Sequence, residues 1–342
     1  MLVDEHAPAS QRYKLYGELK AGPDDHKHSK ALAVSADGIH WDVSKFAGSS
    51  AELDRHGTHN NLVFDPKTQR YAGFGRPSNS PFRIEGVSQS LTADFLGKWE
   101  ASKACGLEVN ETKEAQPDAL VVMSEQHAGI WLGYANMLHV TEPTAAISRG
   151  TTEVELCWSH DLLHWHYVRH GTPFIKRGPQ GSYDCCEIFG AKQQPVIEGD
   201  TMKIFYAGGN GPFMGSRAAG FSVATLQRDW WFGYTPTQGA TSAKVVTTQV
   251  QVGSAGTLLV SADARKGAVT VGVVTSPAVS KLSAAECVPL RGNLTDGVVS
   301  WEKTSVEGPP LAGLVGKNVS LEFVLQPGAV LFAFNMPDLP AV

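Results

Sequence analysis

No stretch of this chain holds the roughly 18 consecutive apolar residues that a membrane-crossing helix requires. A helical membrane protein is therefore excluded. The opening residues, Met1-Leu2-Val3-Asp4-Glu5-His6, lack the basic-then-apolar order of a secretory leader, so a soluble protein is expected. No block of lysine and arginine occurs either. The 29 basic and 34 acidic side chains leave a formal charge of −5, which argues against nucleic acid or an anionic membrane as partner. Cysteine is scarce, at five residues (105, 157, 185, 186 and 287), and no two form a CxxC pair. An odd, scattered set predicts neither a disulfide framework nor a structural zinc site. Three Asn-X-Ser/Thr triplets begin at Asn110, Asn293 and Asn318, but such triplets arise readily by chance and assign no compartment. Helical periodicity is missing throughout, so little helix is expected.

What the chain does have is turns. With 35 glycines and 19 prolines in 342 residues, it has the punctuation of an all-β protein, and its length suits two domains. An internal repeat organises the first part. Ser35-Ala36-Asp37-Gly38-Ile39-His40-Trp41 recurs loosely as Ser90 to Trp99, as Ser159-His160-Asp161-Leu162-Leu163-His164-Trp165, and more faintly as Ala224 to Trp230. The tryptophans fall 58, 66 and 65 residues apart. A period of about 60 residues carrying several short strands is the signature of propeller blades. Tyrosine-rich runs (Arg12–Tyr16, Arg70–Phe74, Ile130–Tyr134, Lys203–Tyr206) alternate with runs that lead into each Asp…Trp corner (Ala31–Val34, Gly86–Gln89, Val154–Trp158, Gly220–Val223). The corner residues themselves read as scaffold. Only a dozen residues precede Arg12, so the first blade is expected to be incomplete.

Near Thr237 the texture changes to Val/Leu alternation. Two strands, Thr257–Ala262 and Ala268–Val274, are expected around an Arg265-Lys266-Gly267 turn, and a second pair, Val319–Leu325 and Ala329–Phe334, around Pro327-Gly328. Short strands with Gly/Pro turns predict a β-sandwich. The expected organisation is a propeller over residues 1–236 and a sandwich over 237–342.

A tyrosine-rich propeller with S-x-D-G-x-x-W corners, followed by a small sandwich, resembles the invertase–levansucrase–arabinanase superfamily of glycoside hydrolases. The corners at Ser35–Trp41 and Asp161–Trp165 carry the likeness, as does Leu314–Phe323 ending in Leu331-Phe332-Ala333-Phe334. The resemblance implies a five-bladed propeller, hydrolysis or transfer of a glycosyl residue, a carbohydrate substrate and no cofactor or metal. It also implies a funnel at the propeller axis, lined by carboxylates from successive inner strands. This chain departs from that pattern twice. Its first blade has no Asn-Asp-Pro-like strand, and Thr58–Phe64 stands where an Arg-Asp-Pro context would be. Asp65-Pro66 follows one strand later and reads as a hairpin turn. The missing strand leaves room for a homo-oligomer in which another chain completes the first blade. It also leaves room for a non-catalytic carbohydrate-binding or assembly protein on the same scaffold.

Cleaving a glycoside takes one carboxylic acid to protonate the leaving oxygen and one carboxylate to attack or to activate water, ~5–5.5 Å apart for retention and ~6.5–9.5 Å for inversion. Three carboxylates are candidates. Asp184 and Glu187 lie in Gly181-Ser182-Tyr183-Asp184-Cys185-Cys186-Glu187-Ile188-Phe189-Gly190, ahead of a hairpin turning at Glu198-Gly199-Asp200. Asp118 follows Pro117 at the start of an apolar run. Glu187 is the expected general acid, because a carboxyl in an apolar strand start is unfavourable unless used or paired. Asp184 and Asp118 would orient the sugar or tune that acid. Plainer readings are a turn acid for Asp184 and a polar strand opener for Asp118. Three residues apart, Asp184 and Glu187 face opposite sides of a straight strand, so both reach one funnel only through a bulge or bend. His59, Asn60, Asn61 and Asn210 offer groups for sugar hydroxyls. Arg76, Arg83 and Arg217 offer cations for an anionic sugar or serve as solvated loop charges. Asp24-Asp25-His26-Lys27-His28 has metal-ligand residue types, but it reads as an ordinary polar connection. Neither a G-x-S-x-G elbow nor a nucleotide-binding glycine loop is present.

Overall fold

The computed structural model describes residues 1–20, 28–42, 60–75, 86–107, 115–123, 128–143, 148–191, 194–213, 215–274, 282–302 and 309–338. The chain divides into two compact units, Met1–Pro195 with Ile204–Ala224 and Val196–Lys203 with Thr225–Val342. Both are built from antiparallel strands, so the protein is all-β. Among the described residues no helix is long and apolar enough to cross a membrane.

The first unit opens with three successive four-stranded meanders. The first joins β1 (Leu2–Val3), β2 (Tyr13–Lys20), β3 (His28–Ser35) and β4 (Trp41–Asp42). The second joins β5 (Asn61–Asp65), β6 (Arg70–Gly75), β7 (Gly86–Gln89) and β8 (Lys103–Ala104). The third joins β9 (Ala115–Val122), β10 (Trp131–Pro143), β11 (Ser148–Ser159) and β12 (Trp165–Tyr167). A fourth sheet pairs β13 (Glu187–Gly190) with the end of β15 (Thr201–Gly209), and β16 (Ala219–Gln227) also pairs with β15. The first sheet is not short of a strand. Leu2–Val3 pairs with Tyr13 and Lys14, and a single 3-10 turn at Ala9–Gln11 lets a dozen residues suffice.

The corners between strands are closed locally. Asp37 accepts hydrogen bonds from the Ile39 and His40 amides at 2.8 Å each, while Ser35 Oγ accepts from the Gly38 amide at 2.9 Å. Asp161 and Ser159 repeat this on Leu163, His164 and Leu162. Trp99 and Trp165 donate their indole N–H to backbone carbonyls of their own corners and are buried against the sheets. Asp65 is likewise a turn residue, accepting from Lys67 N and Thr68 Oγ1.

Among the described residues one core cluster gathers around Tyr16, Leu62, Tyr71, Phe95 and Trp99 and another around Phe74, Leu120, Trp131, Met137 and Trp165. Each fully buried aliphatic or aromatic side chain of this size contributes about 1.5–3 kcal/mol. The first core encloses an ion pair. Lys14 Nζ lies 3.0 Å from Asp4 Oδ2, both side chains are 2% exposed or less, and the Tyr71 hydroxyl also donates to Asp4. β13 docks on β10 and β11 through Thr152, whose hydroxyl accepts from Ile188 N at 3.0 Å, and through Asn136 Oδ1, which accepts from Gly190 N at 3.0 Å.

In the second unit β14 (Val196–Glu198) pairs with the first residues of β15 across the Gly199-Asp200 turn, the hairpin expected from the sequence. The remaining strands are β17 (Ala243–Val246), β18 (Val250–Gln251), β19 (Leu259–Val274), β20 (Leu290–Val298), β21 (Asn318–Leu325) and β22 (Val330–Asn335). Here the two expected hairpins are absent. Leu259–Ala262 and Ala268–Val274 belong to one continuous strand, β19, with a register irregularity between Ala264 and Val269. Its first half lies between β20 and β22, and its second half pairs with β21. Pro327-Gly328 carries the chain from one half of β19 to the other rather than folding β21 onto β22. Arg265 lies back on Asp263, with guanidinium contacts of 2.6 and 2.9 Å, so the charged stretch bends without turning. Alternation does the packing: Val319, Leu321, Phe323 and Leu325 of β21 point into the core with Val260, Val271 and Trp301.

Candidate functional site

The Gly181–Gly190 stretch sits against the end of β15, where Gly208 and Gly209 let it approach closely. A Cβ on Gly208 would lie 2.7 Å from Asp184 Cβ, and one on Gly209 would lie 2.8 Å from Glu187 Oε2. Consecutive strand residues face opposite sides. Asp184 and Glu187 therefore approach β15 from opposite faces, Asp184 from the turn ahead of β13 and Glu187 from the first residue of that strand.

Glu187 is 4% exposed. Its Oε2 forms an ion pair with Arg217 Nε, while Oε1 is buried and has no hydrogen-bond partner among the described residues. Burial pushes this carboxyl above the ordinary glutamate range, and the Arg217 charge only partly opposes it. Arg217 reaches the acid from the loop between β15 and β16, where its own Nη1 donates to Gly215 O at 3.3 Å. The anionic group that Arg217 faces is thus the chain's own. Asn210 closes the same loop: its Oδ1 accepts from Ala218 N at 2.8 Å and its amide donates to Ala218 O at 3.1 Å.

Asp184 has a different environment. Ser182 Oγ donates to Oδ1 at 2.8 Å and the Tyr206 hydroxyl donates to Oδ2 at 2.9 Å. Burial pushes its carboxyl up, but the Ser182 and Tyr206 hydroxyls outweigh this and hold it below the usual aspartate range. The Tyr183 and Tyr206 hydroxyls lie 2.8 Å apart, and Tyr183 also reaches Ser222. One face of β15 thus carries a fully satisfied, ionised aspartate, and the other carries a glutamate whose proton is held more tightly.

Asp118 falls inside β9. Pro117 pairs with Met137 and Ala119 with Asn136, so Asp118 is the extra residue of a β-bulge. Asn136, opposite that bulge, is fully buried and its Nδ2 has no partner among the described residues. The sequence reading passed over Asn136, although an amide in the apolar run Trp131-Leu132-Gly133-Tyr134-Ala135-Asn136-Met137-Leu138 was a readable signal. Asn61 opens β5, buried, with Nδ2 donating to Val122 O at 3.4 Å and Oδ1 unpaired among the described residues. Asn60 precedes it, half-buried. His59, Arg76 and Arg83 lie outside the described residues, as do Asp24–Lys27. Among the described residues no three His, Cys, Asp or Glu side chains converge as a metal site would require. The sequence reading also missed two acid–histidine pairs on one face of β11, Glu153 with His139 at 2.9 Å and Glu155 with His170 at 3.0 Å.

No family model matches the chain, and no curated protein matches it. Among solved structures it is similar to a glycoside hydrolase, at 14% identity and a TM-score of 0.40 over 60% of this chain and 58% of that one. It is also similar to the β-1,2-mannobiose phosphorylase of Listeria innocua in complex with β-1,2-mannobiose, at 16% identity and a TM-score of 0.35 over 57% and 48%. A third is the α-L-arabinanase of Cellvibrio cellulosa complexed with arabinohexaose, at 14% identity and a TM-score of 0.37 over 63% and 71%. The matched part spans less than two thirds of the first two of these structures. Likeness at this level leaves the reaction to be read from this chain's own residues.

Proposed function

We propose that this chain is a glycoside hydrolase in which Glu187 is the general acid. One observation carries the reading: Glu187 is a buried carboxyl with one oxygen unpartnered among the described residues and its proton affinity raised by burial. An acid of this kind stays protonated nearer to neutral pH and can deliver its proton to a leaving glycosidic oxygen. Arg217, bound to Oε2, leaves Oε1 as the oxygen that would carry the proton. After transfer, the same guanidinium stabilises the carboxylate left behind.

Asp184 does not supply the second carboxylate in this scheme, since it faces the other side of β15 and its oxygens are taken. Asp118, carried by the bulge of β9, is the remaining candidate for attack or for activating water. The carboxylate separation would then decide between retention and inversion. The opposed faces of Asp184 and Glu187 favour a second reading, a non-catalytic carbohydrate-binding protein, which would bind a sugar without releasing reducing ends.

The test is Glu187→Gln assayed on paired aryl glycosides. Loss of a general acid lowers turnover about 10²–10⁴-fold on substrates with poor leaving groups. Dinitrophenyl glycosides, whose leaving group needs no proton, should lose far less. Thermal stability should fall by no more than about 2–4 kcal/mol, the cost expected for losing a partly exposed pair with Arg217, so that folded protein remains for the assay. Undiminished activity on both, or an equal loss on both, removes Glu187 from this role.

A further inference from the structure

One cleft of about 510 Å³ has no part in the Glu187 reading, and every residue lining it belongs to the second unit. Its walls are the β14–β15 turn (Asp200, Thr201), the end of β16 (Thr225, Gln227) and β20 (Asn293, Thr295). This volume is within the ~300–1,000 Å³ range of small-molecule sites.

The walls are cross-linked. Gln227 Nε2 donates to Thr295 Oγ1 at 2.6 Å. The next residue, Arg228, donates to Asp296 Oδ2 at 2.5 Å and lies 3.6 Å from Asp200 Oδ1. Its backbone N–H also donates to Asp200 O at 2.8 Å. These contacts tie the walls together, and Arg228, next to the lining residue Gln227, is matched by two carboxylates. A phosphate, sulfate or nucleotide finds no unmatched positive charge there. The Thr201 and Thr225 hydroxyls and the Asn293 amide make no hydrogen bond with the described residues, and all three residues are exposed. Hydroxyls and amides both donate and accept, as sugar hydroxyls do. Leu226 and Leu294 add the apolar surface that the C–H face of a sugar ring covers.

We propose that this cleft is a second, non-catalytic carbohydrate site that takes one or two units of a neutral saccharide. It does not depend on Glu187. The experiment uses the full chain carrying Glu187→Gln, so that nothing is turned over, titrated calorimetrically with cellobiose, maltose, lactose and sucrose, and with inorganic phosphate for comparison. Saturable binding of at least one disaccharide is expected, weakened tenfold or more by Asn293→Ala and by Thr225→Val, with no binding of phosphate. In the chain with Glu187 intact, both substitutions should leave aryl glycoside turnover unchanged. No disaccharide binding, binding that both substitutions leave untouched, or preferential binding of phosphate would each overturn the proposal. The first two outcomes are independent of whether Glu187→Gln has lost turnover, so the two readings fail separately.

Discussion

Replacing Arg217 by methionine tests the electrostatics on which the proposed acid rests. Methionine keeps most of the side-chain length and removes the charge. In the native chain Glu187 is 5% exposed by side chain and Arg217 is 30% exposed, so the pair is largely shielded from water. Two unit charges about 4 Å apart attract by about 4 kcal/mol at an effective dielectric near 20. Breaking a buried pair typically costs about 3–5 kcal/mol. Partial exposure of the arginine lowers the expectation to about 2–4 kcal/mol at pH 7.5. That cost has a ceiling, because the stranded carboxylate can take up a proton instead. Glu187 already has a folded-state pKa above its unfolded value, so folding disfavours its ionised form. Stability is therefore lost as pH rises through the folded pKa and recovered as pH falls toward the unfolded one. Losing Arg217 raises the folded pKa further and widens that window upward. Each pH unit is worth about 1.36 kcal/mol, so moving from pH 7.5 to 5.5 lowers the ceiling by about 2.7 kcal/mol. Hydrogen exchange of the peptide spanning β13, corrected for intrinsic rates and measured at both pH values, reads the effect within the first unit. The Arg217→Met penalty should at least halve at pH 5.5 and should vanish in a Glu187→Gln background. An equal penalty at both pH values, or one that persists without Glu187, would refute the reasoning.

Two further perturbations test the packing that holds the site. Lys14→Met strands Asp4 in the first core and should destabilise the first unit by about 3–5 kcal/mol. Melting temperature and hydrogen exchange of β2 report it, and a loss below about 1 kcal/mol would mean that Asp4 is not held as an ion. Gly208→Ala places a methyl 2.7 Å from Asp184 Cβ and should cost about 1–3 kcal/mol in the same assays. Gly220→Ala, where nothing lies within 4 Å, is the neutral comparison, and equal effects at the two positions would show that the approach to β15 is not tight.

What the sequence disclosed, it disclosed where the physics is local. The Ser35–Trp41 and Ser159–Trp165 corners are legible because each is closed by hydrogen bonds within seven residues. The Glu198–Asp200 turn was readable for the same reason. Leu162 at φ 66° occupies the place of Gly38 at φ 75°. A buried leucine there conceals the turn from any rule that looks for glycine. Pairing that depends on distant strands was less legible. Arg265-Lys266-Gly267 has the composition of a hairpin turn, yet its neighbours are claimed by strands that follow much later. The site divides in the same way. Glu187 is legible as a carboxyl in an apolar strand start, whereas the turn that carries Asp184 ahead of β13 does not follow from their spacing. The pairing of Glu187 with Arg217, thirty residues on, left no local trace. Nor did the bulge that singles out Asp118, because it is set by register against Asn136.

β19 imposes an order of assembly on the second unit. β20, β21 and β22 all pair with it, and among the described residues β17 and β18 pair with β21. A nascent chain that has emerged as far as Val274 therefore carries a sixteen-residue, Val/Ala-rich ribbon whose hydrogen-bonding neighbours have not yet been synthesised. Such separations slow collapse and leave an unpaired edge open to intermolecular stacking. Aggregation during synthesis should consequently be governed by how soon Asn318–Asn335 becomes available, not by the stability of the finished domain.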